Sequence, residues 1–137
     1  MVENYKLAII TNSRGMTSHQ RVVLRDTVKF LKDNTSGLIL CVPCFTGVDL
    51  LEGVDPAIRG IGLSESCEVE VQPFQPGTAY SSITRWVIEQ GCDQYLTFPN
   101  RYAQHIIKDR AWAVYNDLRK EGKFCTAVLP WVSETKR

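Results

Sequence analysis

No apolar run in this chain approaches the roughly 20 residues that a membrane-spanning helix needs, so no membrane partner is expected. Charge of one sign is also missing. Sixteen Lys and Arg stand against fifteen Asp and Glu, a net charge of +1, which excludes a dedicated nucleic-acid or membrane-surface protein. The basic cluster at the end, "ETKR", is a short charged tail. Histidine is scarce: His19 and His105 are isolated from one another, and no Ser-His-Asp arrangement or GxSxG elbow is present. The standard nucleotide fingerprints are absent too. "GMTSHQR" lacks the Gly-Lys-Ser/Thr ending of a P-loop, and no GxGxxG occurs. Repeats, low-complexity tracts and linkers are missing, so residues 1–137 read as one domain, long enough to bury a core without metal or disulfide staples.

Cysteine is present but does not form a framework. Five residues, at 41, 44, 67, 92 and 125, are an odd number in mostly apolar contexts, which suits reduced thiols in a cytoplasmic protein. "MVENYKLAIITN" lacks the basic start and apolar core of a signal peptide and reads as a strand. Cys41 and Cys44 make a Cys-x-x-Cys pair at a strand-to-helix turn, where a helix N-terminus lowers a thiol pKa. A redox dithiol is therefore one alternative reading, although the element order departs from a thioredoxin-like fold. One such pair without a second pair or a His pair is no zinc site, and neither a metal nor a cofactor is expected.

Strands and helices alternate along the chain. Strands are predicted at Tyr5–Asn12, Gly37–Pro43, Cys67–Phe74 (nearer an edge), Asp93–Asn100 and Phe124–Trp131. A helix over "QRVVLRDTVKFLKDN", capped by Thr17 or Ser18, places Val23, Thr27, Phe30 and Leu31 on one face, with Leu24 and Val28 beside them. Further helices are predicted from Val48 towards Arg59, from about Thr78 to Gly91, and over "RYAQHIIKDRAWAVYNDLRKEG" to Gly122. This pattern predicts a single-domain Rossmann-like α/β three-layer sandwich with a five-stranded, mostly parallel sheet. Ligands of such sheets bind at the carboxyl ends of the strands, where strand order reverses.

The strand-end loops carry the candidate chemistry. "TNSRGMTSHQ" combines Ser13, Arg14, Gly15 and Thr17 just before a helix N-terminus, a combination able to hold a phosphate or carboxylate; it also reads as an ordinary capped turn. "CFTGVD" offers Thr46, Gly47 and Asp49. Asp49 either suits the dipole of a first helical turn or accepts hydrogen bonds from a ribose or a base.

Taken together these loops resemble the SLOG superfamily, the Rossmann-like group that includes DprA-like and LOG (cytokinin-activating) proteins. "TNSRGMTSHQRVVLRDTVKFL" is similar to that group's strand-"TGxRxGMTxxQ"-helix opening. "LCVPCFTGVDLL" stands at its "HGDCxGADxxA" loop, where Cys44, Gly47 and Asp49 match. "VEVQPFQP", "ITRWVIEQGCDQYLTFPN" and "DRAWAVYNDLRKEGKFCTAVLP" follow in the family's order, over nearly the whole chain. Two departures bear on mechanism. Val42-Pro43 replaces a Gly-Asp, and Asp109-Arg110-Ala111 replaces the Ser-Gly-Thr turn that holds phosphate through backbone N–H groups. Arg110 then stands as a side-chain substitute for that turn, Asn100 as a strand-end residue, and Trp112 as either a core residue or a stacking platform. "PNRYAQHII" has neither the glycines nor the carboxylate of the LOG motif "PGGxGTxxE".

The resulting expectation is a protein that binds a nucleotide-like small molecule, for sensing or sequestration, rather than an enzyme. The alternative is a hydrolase or transferase acting on an N-glycosidic bond, resembling a phosphoribohydrolase, with Asp49 as the catalytic residue. Trp86 and Trp131 are candidates for a homodimer interface.

Overall fold

A computed structural model describes residues 4–12, 16–44, 58, 60, 65, 67–75, 77–100 and 109–130. Five strands form one sheet: β1 (Tyr5–Thr11), β2 (Leu38–Cys44), β3 (Glu68–Pro73), β4 (Gln94–Phe98) and β5 (Cys125–Ala127). Every pairing is parallel and the order is β3-β2-β1-β4-β5. The helices whose bounds lie among the described residues are α1 (Ser18–Asn34), α2 (Tyr80–Glu89) and α3 (Arg110–Lys120). The predicted α/β class with a five-stranded sheet is the one observed, and it is parallel throughout.

The sequence of β1 explains its place at the centre. Leu7, Ala8, Ile9 and Ile10 are all fully buried, the continuous apolar run of a strand covered on both faces. Leu7 and Ile9 pack with Leu24, Val28 and Leu31 of α1. Ala8 and Ile10 pack with Ile83 and Val87 of α2 and Val114 and Leu118 of α3. The helices thus sandwich the sheet, and each fully buried Leu, Ile or Val contributes about 1.5–3 kcal/mol of hydrophobic stabilisation. Ile58 is helical and joins the α1 side of the core.

Three sequence expectations need correction. The buried stripe of α1 is Gln20, Leu24, Val28 and Leu31, whereas Phe30 is 64% exposed; the stripe is rotated because Gln20, not an apolar residue, leads it inward. The last helix begins at Arg110. Asp109 is extended (φ −90°, ψ 110°) and its carboxylate accepts from Ala111 N, so no helix runs through it from the residues before; 101–108 lie outside the described residues. Cys44 belongs to β2 rather than to a loop. The predicted helix ends hold: Gly91 (φ 66°) follows α2 and Gly122 (φ 76°) follows α3, both in the left-handed region that glycine enters without steric cost.

Candidate functional site at the strand-order reversal

β1 pairs with β2 on one side and with β4 on the other. The crevice of a parallel sheet opens beyond the carboxyl ends of two such strands, and here several polar side chains converge there. Asn12, just past β1, is 3% exposed and its amide donates to the Phe98 carbonyl at 2.7 Å. That bond pins the two strand ends together where their chains diverge.

Gln20 ties the same corner from α1. Its Nε2 donates to Pro99 O at 2.6 Å and to Val128 O at 2.8 Å, while its Oε1 accepts from Thr17 N at 3.0 Å. A fully buried amide must have such partners to offset its desolvation. Thr17 completes the capping box by accepting from Gln20 N at 3.2 Å. The Thr17 hydroxyl also donates to Pro130 O, so its donor and acceptor roles are both filled within the chain.

The start of α3 closes the other side. Asp109, 4% exposed, accepts from Asn100 N at 2.8 Å and from Ala111 N at 3.0 Å. It therefore caps α3 and holds the turn after β4 with one carboxylate. Arg110 extends across the strand ends, its Nε donating to Thr11 O at 3.0 Å. Burial pulls the Arg110 pKa below its ordinary value, while nearby Tyr80 and Asp109 act in the opposite direction; a guanidinium remains cationic near neutral pH. Trp112 is 4% exposed and meets Tyr115 edge to face at 5.3 Å. Its indole is packed in the core, and a base could stack on it only by displacing its neighbours.

Of the residues singled out in the sequence, Thr17, Asn100 and Arg110 thus meet at one end of the sheet, with Trp112 packed in the core behind them. Ser13, Arg14, Gly15, Thr46, Gly47 and Asp49 lie outside the described residues. Asn12, Gln20 and Asp109 were missed as site residues. The Thr-x-x-Gln spacing from 17 to 20 is a capping-box signature visible in the sequence; nothing local marks the other two. Chemically, the assembly presents a fixed cation and backbone-anchored amides, which suits recognition of an anion. The one described carboxylate in it, Asp109, already accepts two backbone N–H bonds.

The Cys-x-x-Cys reading fails on geometry. Both cysteines lie in β2, where residues three apart point to opposite faces. Cys44 packs on the α1 side, while the Cys41 thiol donates to Glu70 Oε1 at 3.8 Å. They cannot form a disulfide with each other.

No protein-family pattern matches the sequence, and no curated protein matches it. The fold does find a counterpart. A crystal structure of a universal stress protein in complex with cAMP superposes with a TM-score of 0.56, covering 93% of this chain and 99% of that one at 12% identity. This chain shares the fold of that universal stress protein. A protein from the universal stress protein family from Burkholderia pseudomallei gives a TM-score of 0.45 at 10% identity, over 93% and 97% of the two chains. The SLOG resemblance is overturned: the structural counterpart at a TM-score of 0.56 is a universal stress protein, and no sequence match supports SLOG. Its short matched pieces are strand-loop-helix segments rich in small residues, which parallel α/β sheets share whatever their family.

Proposed function

We propose that this protein binds a nucleotide or nucleotide-derived small molecule at the carboxyl ends of β1 and β4, as a sensor or as a sequestering protein. The observation that carries the reading is Arg110, a cation fixed on the Thr11 carbonyl at the point where strand order reverses. A guanidinium there offers a forked, charge-assisted contact to a phosphate. That a universal stress protein of this fold was solved with cAMP supports a nucleotide over other anions. In this reading Asn100 lies beside the phosphate, with Ser13, Arg14 and Gly15, which follow Asn12 in the chain. Thr46, Gly47 and Asp49, which follow β2, take the ribose or the base. Thr17 holds the start of α1 in place.

A groove of about 440 Å³ between α2 and α3, lined by Ser81, Thr84, Arg85, Asp117 and Lys120, lies on the outer helical surface. Its mixed charges favour no single ligand, so the strand ends are preferred.

Mass spectrometry of the gently purified protein, followed by a thermal-shift panel of cAMP, AMP and ATP, tests the reading. A retained nucleotide or a saturable rise in Tm is expected, and Arg14→Ala should abolish the rise without unfolding the protein. No retained nucleotide and no rise with any member of the panel would end the proposal. Sustained release of free base would replace it with the N-glycosidic enzyme.

A further inference from the structure

The groove between α2 and α3 is bounded by charges whose order differs on its two walls. The strands these helices connect are all parallel, so α2 and α3 run in the same direction. Thr84 Oγ1 donates to Asp117 Oδ2 at 3.2 Å, which puts those two residues at one level of the groove. At a rise of about 1.5 Å per residue, Arg85 lies about 1.5 Å beyond that level, Lys120 about 4.5 Å and Glu89 about 7.5 Å. Along this direction the α2 wall is positive then negative, and the α3 wall negative then positive. Arg85 and Glu89 each stand two residues from the buried Val87, and Lys120 two from the buried Leu118. Two residues span about 200° of helix, so all three occupy the outer crests. Glu121, three residues from Leu118 and about 60° from it around the helix, lies nearer the sheet. Arg85, Glu89 and Lys120 are exposed and form no ion pair with another described residue. Ile88, between the charges on the α2 wall, is only half-buried. Trp86 packs edge-on against Phe74 at 6.3 Å on the far flank of α2 and is not part of this surface.

We propose that this groove is a docking surface for a second copy of the chain. A two-fold axis along the groove, parallel to the helices, lays α2 of each copy on α3 of the other with their levels in register. Arg85 of one copy then faces Asp117 of the other, and Glu89 faces Lys120. The symmetry makes each pairing twice. An acidic or a basic partner would meet a like charge at half of these positions, whereas the chain's own surface meets an opposite charge at every one. Ile88 of both copies is covered between the paired crests. Because the axis runs along the helices, the carboxyl ends of both sheets open at the same end of the dimer. Exposed ion pairs are individually weak and are screened by salt. The dimer therefore forms at high protein concentration and dissociates as ionic strength rises.

Sedimentation velocity of the wild-type chain over a concentration series, at low and at high salt, tests the surface. A rapid monomer–dimer equilibrium that shifts towards monomer with salt is expected. Arg85→Glu and Asp117→Arg should each lose the dimer at concentrations where the wild type holds it, because each sets like charges opposite one another twice. An equimolar mixture of the two should recover it. In that pair the two changed side chains face each other with opposite sign, and so do the two unchanged ones. Asp117→Arg also gives up the Thr84 bond. Glu89→Lys and Lys120→Glu therefore repeat the exchange at exposed positions, where no bonded side chain is touched. A wild type that stays monomeric at every concentration, a dimer that survives the single changes, or mixtures that remain monomeric would overturn the proposal.

Discussion

Arg110 Nε donates to the carbonyl oxygen of Thr11 at 3.0 Å, so the first residue of the last helix is bolted to the last residue of the central strand. The bond satisfies the carbonyl at the end of β1 and fixes a positive charge at the carboxyl ends of β1 and β4. Asp109, one residue earlier, anchors the same turn to Asn100. Adjacent residues therefore tie the start of α3 to both β1 and the turn after β4.

If that charge binds the phosphate, Arg110→Gln should weaken binding of a nucleotide identified in the thermal-shift panel. Charge-assisted hydrogen bonds contribute about 1.5–3 kcal/mol, roughly a 10- to 150-fold rise in Kd. Arg110→Lys should recover little, because an ammonium cannot bridge Thr11 and a phosphate as a planar fork does. Isothermal titration calorimetry measures both. Equal affinity in all three proteins would move the phosphate elsewhere.

Gln20 is the second test. Gln20→Leu keeps most of the volume but strands the Pro99 and Val128 carbonyls and the Thr17 N–H. Unsatisfied buried groups cost about 1–3 kcal/mol each when water cannot reach them. Urea unfolding should show a lower midpoint with an unchanged slope, and Gln20→Glu, which can no longer donate to two carbonyls, should be at least as damaging. An unchanged midpoint would mean that the three bonds contribute nothing.

Asp109→Ala removes the α3 cap and the tether to Asn100 together. Loss of a side-chain cap costs about 0.5–2 kcal/mol. Asp109→Asn should recover part of this, because its single carbonyl oxygen can still accept from Ala111 N. Comparing the two variants by chemical denaturation separates the cap from the tether.

The legible part of the fold was set by local physics. The fully apolar β1 run and the glycines after α2 and α3 each announce their structure within a few residues. Phe30 misled because apolar spacing alone does not say which face a helix turns inward; a buried Gln20, satisfied by two distant carbonyls, decided it. The Cys41–Cys44 spacing drew a redox reading that β2 itself refutes, since alternation sends the two thiols to opposite faces. Arg110 was legible as a residue type, but its position required Asp109 to stop the helix there.

Alkaline pH tests the core on the α2 and α3 side. Burial raises the Cys125 pKa from 9.0 to about 12, against the opposing effect of Arg119. The folded chain therefore keeps this proton through a range in which the unfolded chain gives it up. Its contribution to stability is fully present below pH 9.0 and is lost as pH rises towards about 12. A three-unit shift corresponds to on the order of 4 kcal/mol, an upper bound that relaxation of the site reduces. Cys125→Val removes the titrating group at similar volume. Tyr5, Tyr95, Cys41 and Cys67 also carry raised pKa values, so the informative quantity is the difference between the two proteins in urea midpoint from pH 8 to pH 11. The wild-type midpoint should fall more steeply than that of Cys125→Val; parallel curves would show that the Cys125 thiol does not carry the shift.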